Sequence, residues 1–175
     1  MIAMIDGVHS QRLPAWHCEI LDVLADGARV LGAASMGALR AVECAPWGAE
    51  PVGEICEWYA SGVIEGDDEV CLAHGDESTN WKPFSVPMVN VRATLKAVPS
   101  IMLSAKRREE IIDIAKGIFY PERTWRGLAD ACELRDFDLE EYEVDLKATD
   151  AMHLAIRAPT FPQKKTRPGD PECGS

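Results

Sequence analysis

The sequence predicts an α/β fold: a small, mainly parallel sheet of about three strands, joined to a predominantly helical C-terminal half. Three observations predict it. Near the start, two short apolar runs flank one stretch of helical periodicity within about 35 residues, the size of a right-handed parallel strand-helix-strand unit. Beyond residue 85 nearly every segment repeats its apolar residues at the helical period. Finally, 175 residues at 47% hydrophobic and 27% charged composition suit one substantial core and are short for two.

Each element follows from local chemistry. "MIAMI" (1–5) is short, apolar and closed by Asp6 and Gly7, so it reads as a buried strand and a turn. "PAWHCEILDVLADG" sets Trp16, Ile20, Leu21 and Leu24 at helical spacing, with Pro14 in the first turn and Gly27 as the stop. "ARVLGAA" is the second strand, and "MGALRAVECA" returns to helix formers until Pro46. "VGEICEWYASG" carries Val52, Ile55 and Tyr59 on one face and ends at Gly62. "DDEVCLAHG" is the third candidate strand. In "FSVPMVNVRATLKAV", Ser85 serves as cap, Pro87 sits in the first turn, and Met88, Val91 and Leu95 form the apolar face. "SAKRREEIIDIAKGIF", "TWRGLADACEL" and "EEYEVDLKATDAMHLAIRA" are helical. Residues 1–157 are expected to form a single domain, and the proline-rich stretch 158–175 a flexible tail.

Charge and cysteine usage exclude several classes. The net charge of −11, with pI about 4.8, repels phosphate backbones, and the basic cluster Lys164, Lys165 and Arg167 falls in the tail. No nucleic-acid partner is expected. No apolar run approaches the roughly 18 residues of a membrane span, and the start lacks the charge and continuous apolar stretch of a secretory signal. A cytoplasmic location and no membrane contact are therefore expected. Cys18, Cys44, Cys56, Cys71, Cys132 and Cys173 show no CxxC spacing and read as reduced thiols. "EGDDEV" (65–70) offers hard oxygen ligands, but consecutive side chains diverge and the EF-hand spacing is absent. It reads as a solvated turn, with no metal and no cofactor.

The stretch "AASMGALRA" carries the strongest functional signal. A strand feeding a tight turn into a helix puts Ser35 at the carboxyl edge of a parallel sheet, where α/β folds form their ligand crevice. The helix N-terminus behind it would stabilise a developing oxyanion, and Gly37, without a Cβ, lets another backbone or a substrate approach. The turn is similar to the G-x-S-x-G nucleophile elbow, departing from it at Ala33. Two readings of Ser35 stand: a helix cap, or a nucleophile needing a base. His9, His17, His74 and His153 suggest no Ser-His-Asp order. A desolvated lysine is the other option, and Lys147 and Lys116 lie beside apolar helix faces. Each has a plainer reading, Lys147 in a surface pair with Glu143 or Asp150, and Lys116 with its stem over Ile112 and Tyr120. In "FYPERTW", Trp125 is expected in the core.

"GAASMGALRAVE", "VGEICEWYASGVIEGDDEV", "VPMVNVRATL" and "VDLKATDA", in this order, resemble the core of TfuA proteins. "PAWHCEIL", with His17 and Glu19, is similar to the family's early helix. The resemblance implies a partner of YcaO enzymes, which use ATP to activate a backbone amide during thioamidation. It implies an accessory hydrolase that cleaves the C-terminal thiocarboxylate of a ThiS-like carrier and releases sulfide. A Ser-Lys pair carries that chemistry, matched here by Ser35 and Lys147, with Lys116 as the second candidate base. Main-chain N–H groups at Met36 and Gly37 would hold the oxyanion, and Arg40 or Arg123 would neutralise the thiocarboxylate. The competing expectation is a non-catalytic adaptor that binds the YcaO enzyme and raises its affinity for the peptide.

Overall fold

The computed structural model describes residues 1–5, 15–134 and 139–158. Its elements are β1 (Ile2–Met4), α1 (His17–Ala25), β2 (Val30–Gly32), α2 (Met36–Cys44), β3 (Glu50–Pro51), α3 (Glu54–Ala60), α4 (Met88–Ala97), α5 (Ala105–Gly117), α6 (Trp125–Ala131) and α7 (Leu146–Arg157). The sheet order is β1-β2-β3 with both pairings parallel, Ile2 facing Val30 and Leu31 facing Glu50. This is the expected α/β architecture with its helical C-terminal half.

The alternation of strand side chains sorts the helices into two layers. Val30 packs with Ile20 of α1 and Cys44 of α2, whereas Leu31 packs with Leu154 of α7. Two glycines bring α2 onto the sheet. A Cβ at Gly32 would overlap the Gly37 carbonyl oxygen and stand 2.6 Å from the Ala41 Cβ. A Cβ at Gly37 would overlap the Met4 carbonyl oxygen and stand 2.8 Å from its carbon. Backbone therefore meets backbone at the start of α2, as only glycine allows.

Two sequence expectations are corrected. The third strand is Glu50–Pro51, while the "DDEVCLAHG" stretch opens with a 3-10 turn at Asp67–Glu69. Val70 and Cys71 are buried, and that short apolar burst imitates a strand. The turn is set by Gly66 in the left-handed region, φ 79. Nor is "EEYEVDLKATDAMHLAIRA" one helix. Leu139–Tyr142 forms a 3-10 turn, and α7 begins only at Leu146, where Asp145 caps it by accepting from the Ala148 N–H.

Smaller differences have equally local causes. Ser85 does not cap α4; its hydroxyl accepts the Ala73 N–H across the chain at 2.7 Å, and Pro87 stands at the cap position. The expected inward face of α4 is observed, with Met88, Val91 and Leu95 buried. Trp16 is exposed, so α1 buries Ile20 alone among its four spaced apolar residues. Asp6, Gly7, His9, Pro14, Cys173 and the basic tail cluster lie outside the described residues. Among the described residues no helix is long and apolar enough to cross a membrane, and Cys18, Cys44, Cys56, Cys71 and Cys132 are free thiols.

The helical half closes on buried polar side chains. Asn90 of α4 joins α7 by accepting from the Leu146 and Lys147 N–H groups and donating to Asp145. Asp150 accepts the Glu54 and Ile55 N–H groups at 3.1 and 2.8 Å, so α7 caps α3 from outside. Burial pushes the Asp150 carboxyl up from its ordinary value, and those two backbone donors pull it partly back. α7 thus seals one sheet face and supplies the first-turn partners that α3 lacks.

Candidate functional site around Ser35

Ser35 lies between β2 and α2 and is 2% exposed. Ala34 before it is in the left-handed region, φ 71, a conformation costing a non-glycine residue about 1–3 kcal/mol. Packing with Leu31, Val52 and Leu154 holds it there. The turn therefore resembles a nucleophile elbow in being strained, with the strain on the residue before the serine. Ser35 stands at the N-cap position of α2, yet its side chain makes no capping hydrogen bond. The plainer reading of this hydroxyl is thereby removed. Met36 and Gly37 are the first two residues of α2, whose N–H groups have no partner within the helix.

A cavity of about 360 Å³ opens beside this turn, lined by Met4, Ile5, Met36, Gly37 and Arg40 among others. The lining joins the carboxyl end of β1 to the first turns of α2, the crevice position expected of the fold. Arg40 is anchored there: Nη1 donates to Glu43 at 2.6 Å and Nε to the Ala15 carbonyl at 3.3 Å. Glu43 also meets His17 Nε2 at 2.7 Å. Sequence reasoning missed this His17–Glu43–Arg40 network. Arg40 and Glu43 share a helix face, but the pairing with His17 spans 26 residues and leaves no local signal. Glu19 closes the α1 terminus by accepting the Trp16 N–H.

The two candidate lysines arrive at successive residues of one segment. Lys116 Nζ bonds the Glu69 carboxylate at 2.9 Å, and Lys147 Nζ donates to the Val70 carbonyl at 2.7 Å. Glu69 is fully buried and also holds Arg92 through both oxygens, each at 2.9 Å. The "EGDDEV" stretch is thus a solvated turn only in part, since its last carboxylate anchors two cations inside the protein. Lys116 is an ion-pair partner of buried Glu69. Lys147 does not form the expected helix-surface pair, because Glu143 precedes the helix and Asp150 points to α3. No hydrogen bond joins Ser35 to either lysine. Met36, Val70 and Leu146, neighbours in sequence of Ser35, Glu69 and Lys147, belong to one buried apolar cluster.

Arg123, expected near the substrate, is 2% exposed. Its Nε, Nη1 and Nη2 donate to the carbonyls of Ala115, Val86 and Ile118. The reason lies in the end of α5, whose last carbonyls lack partners within the helix and take a cation from the following turn. Burial draws the guanidinium below its usual value, opposed by Asp68 and Glu69. Trp125 is in the core as expected, but its indole Nε1 is buried without an acceptor, a state costing about 1–3 kcal/mol. It lines a second cavity, of about 460 Å³, with Lys147 on another wall.

Comparison with known proteins adds one finding. No curated protein matches the chain. The family model described as TfuA-like protein matches residues 6–124, which takes in the Ser35 turn, Lys116 and Arg123 and stops short of α7 and Lys147. With more than half its length matched, the chain belongs to the TfuA-like family.

Proposed function

We propose that the chain is an accessory hydrolase for peptide backbone thioamidation, cleaving the thiocarboxylate of a ThiS-like carrier to release sulfide for a partner YcaO enzyme. The observation that carries this reading is the buried, uncapped hydroxyl of Ser35 behind a strained alanine, at the carboxyl edge of a parallel sheet. A serine serving only the helix would bond to its first turn.

In this reading Lys147 serves as the base that takes the Ser35 proton, and the alkoxide attacks the thiocarboxyl carbon of the carrier. The Met36 and Gly37 N–H groups hold the oxyanion, and Arg40 neutralises the incoming thiocarboxylate. The carbon–sulfur bond then breaks, and sulfide leaves as HS⁻ with the proton that Lys147 carried. Water attacks the acyl-serine ester, returning the hydroxyl and leaving a carboxylate on the carrier. Lys116, ion-paired with Glu69, holds the adjoining segment in place.

The test mixes the purified chain with thiocarboxylated carrier and follows both sulfide and the carrier's intact mass. Ser35→Ala is expected to slow conversion at least about 10³-fold, and Lys147→Met about 10²- to 10⁴-fold. An unchanged rate for Ser35→Ala removes the nucleophile and leaves a docking role.

A further inference from the structure

β1 is an edge strand, paired with β2 alone. The Ile2 N–H donates to the Arg29 carbonyl at 2.8 Å, and the Met4 carbonyl accepts from the Ala33 N–H at 3.0 Å. Residues 2 and 4 therefore turn their backbone polar groups to β2, and the N–H and C=O of Ala3, between them, point away from the sheet. Ala3 is exposed, as are the apolar side chains of Ile2 and Ile5. An open donor and acceptor flanked by apolar side chains form a template for one more strand.

The two ends of this edge differ. At the carboxyl end the cavity of about 360 Å³ is lined from Ala3 through to Met36, the residue after Ser35. Arg40 stands in its wall with Nη1 and Nε bonded and with Nη2 free of hydrogen bonds to the described residues. At the amino end the Arg29 guanidinium is closed off by both Glu50 oxygens. A strand added parallel to β1 finishes at the cavity, so its C-terminal group meets Arg40 and the start of α2; an antiparallel strand finishes at the wrong end. A second copy of this chain, pairing edge to edge about a two-fold axis, runs antiparallel and leaves the cavity unfilled. Ser35, 2% exposed, is within reach of a thin chain end but not of a folded surface. We infer that the free edge of β1 receives the C-terminal segment of the carrier as a fourth, parallel strand, with its terminal group against Arg40 Nη2. The identity of this occupant rests on the hydrolase reading.

The experiment titrates the full chain, labelled with ¹⁵N, with the carrier in its unreactive carboxylate form, so that docking is read without chemistry. The Ala3 amide signal, identified by its loss in Ala3→Pro, is expected to move downfield and its hydrogen exchange to slow at least about tenfold. Ala3→Pro deletes the outward N–H and spares the β1–β2 ladder. Shown folded by its thermal melt, it is expected to weaken binding about five- to tenfold. The parent is expected to prefer the carboxylate over a carrier ending in a carboxamide about three- to tenfold, and Arg40→Met to lose that preference. The proposal is overturned if the Ala3 signal stays still at millimolar carrier, if folded Ala3→Pro binds like the parent, or if the parent binds both carrier forms alike. A dimer seen by light scattering and dissolved by Ala3→Pro gives the edge to a second copy and overturns it equally. Should Ala3 respond while the thiocarboxylated carrier releases no sulfide, docking stands and the hydrolase reading falls; sulfide release with a silent Ala3 means the reverse.

Discussion

The sheet layer and the helical half of this protein are closed by opposite means. Around β1, β2 and α2 the chain comes together because side chains are missing: Gly32 and Gly37 let main chain lie on main chain. Around α4, α5 and α6 it comes together through long side chains that reach stranded carbonyls. Arg123 serves the end of α5, and Arg108 the end of α4 by donating to the Leu95 and Val98 carbonyls. Glu69 then clamps Arg92 of α4 to Lys116 of α5. The first region should fail when atoms are added, and the second when atoms are removed.

Three substitutions or probes can break or sharpen that contrast. The largest effect is expected from Glu69→Ala, which leaves Arg92 and Lys116 without their shared carboxylate. Losing one member of a buried ion pair costs about 3–5 kcal/mol, and the partial exposure of both cations puts this case at the low end. Urea unfolding would read it, and a loss below 1 kcal/mol would show that the clamp is ornamental. Next comes Gly32→Ala, expected to cost about 3 kcal/mol, the upper part of the overpacking range, because the clashing atoms belong to the α2 backbone and cannot rotate away. Neutral behaviour of this variant in the same assay would refute the tight backbone contact. The smallest effect is chemical. Burial pushes the Cys56 thiol up to about 12 and Cys71 up to about 11, from an ordinary 9.0. At pH 8 their thiolate fractions are then only roughly 10⁻⁴ and 10⁻³. Iodoacetamide with peptide mapping should label exposed Cys18 first and reach Cys56 and Cys71 only after unfolding.

The same contrast governs what the sequence discloses. β1, α1, β2 and the Ser35 turn are legible because each has a run of apolar spacing with a glycine or acidic stop within a few residues. The two-residue strand Glu50–Pro51 is not, being too short to show a period. Ser35 is visible as an anomaly in an apolar run, but whether it caps depends on backbone geometry that no spacing encodes. The start of α7 could have been found, since Asp145 before an apolar repeat is a capping signal. Asn90, Asp150 and the Glu69 clamp could not, because each joins residues from 23 to 96 positions apart. Arg123 in "FYPERTW" reads as a substrate-binding cation until the α5 carbonyls are placed around it.

The capping of α3 by α7 also sets an order of events as the chain is made. Leu31 and the first turn of α3 are synthesised early, yet their partners, Leu154 and Asp150, emerge about a hundred residues later. Until then the nascent sheet presents one bare face and one unsatisfied helix start to its surroundings. Contacts so distant along the chain make assembly slow, and the first strands of the growing polypeptide stay uncovered on that face until α7 emerges.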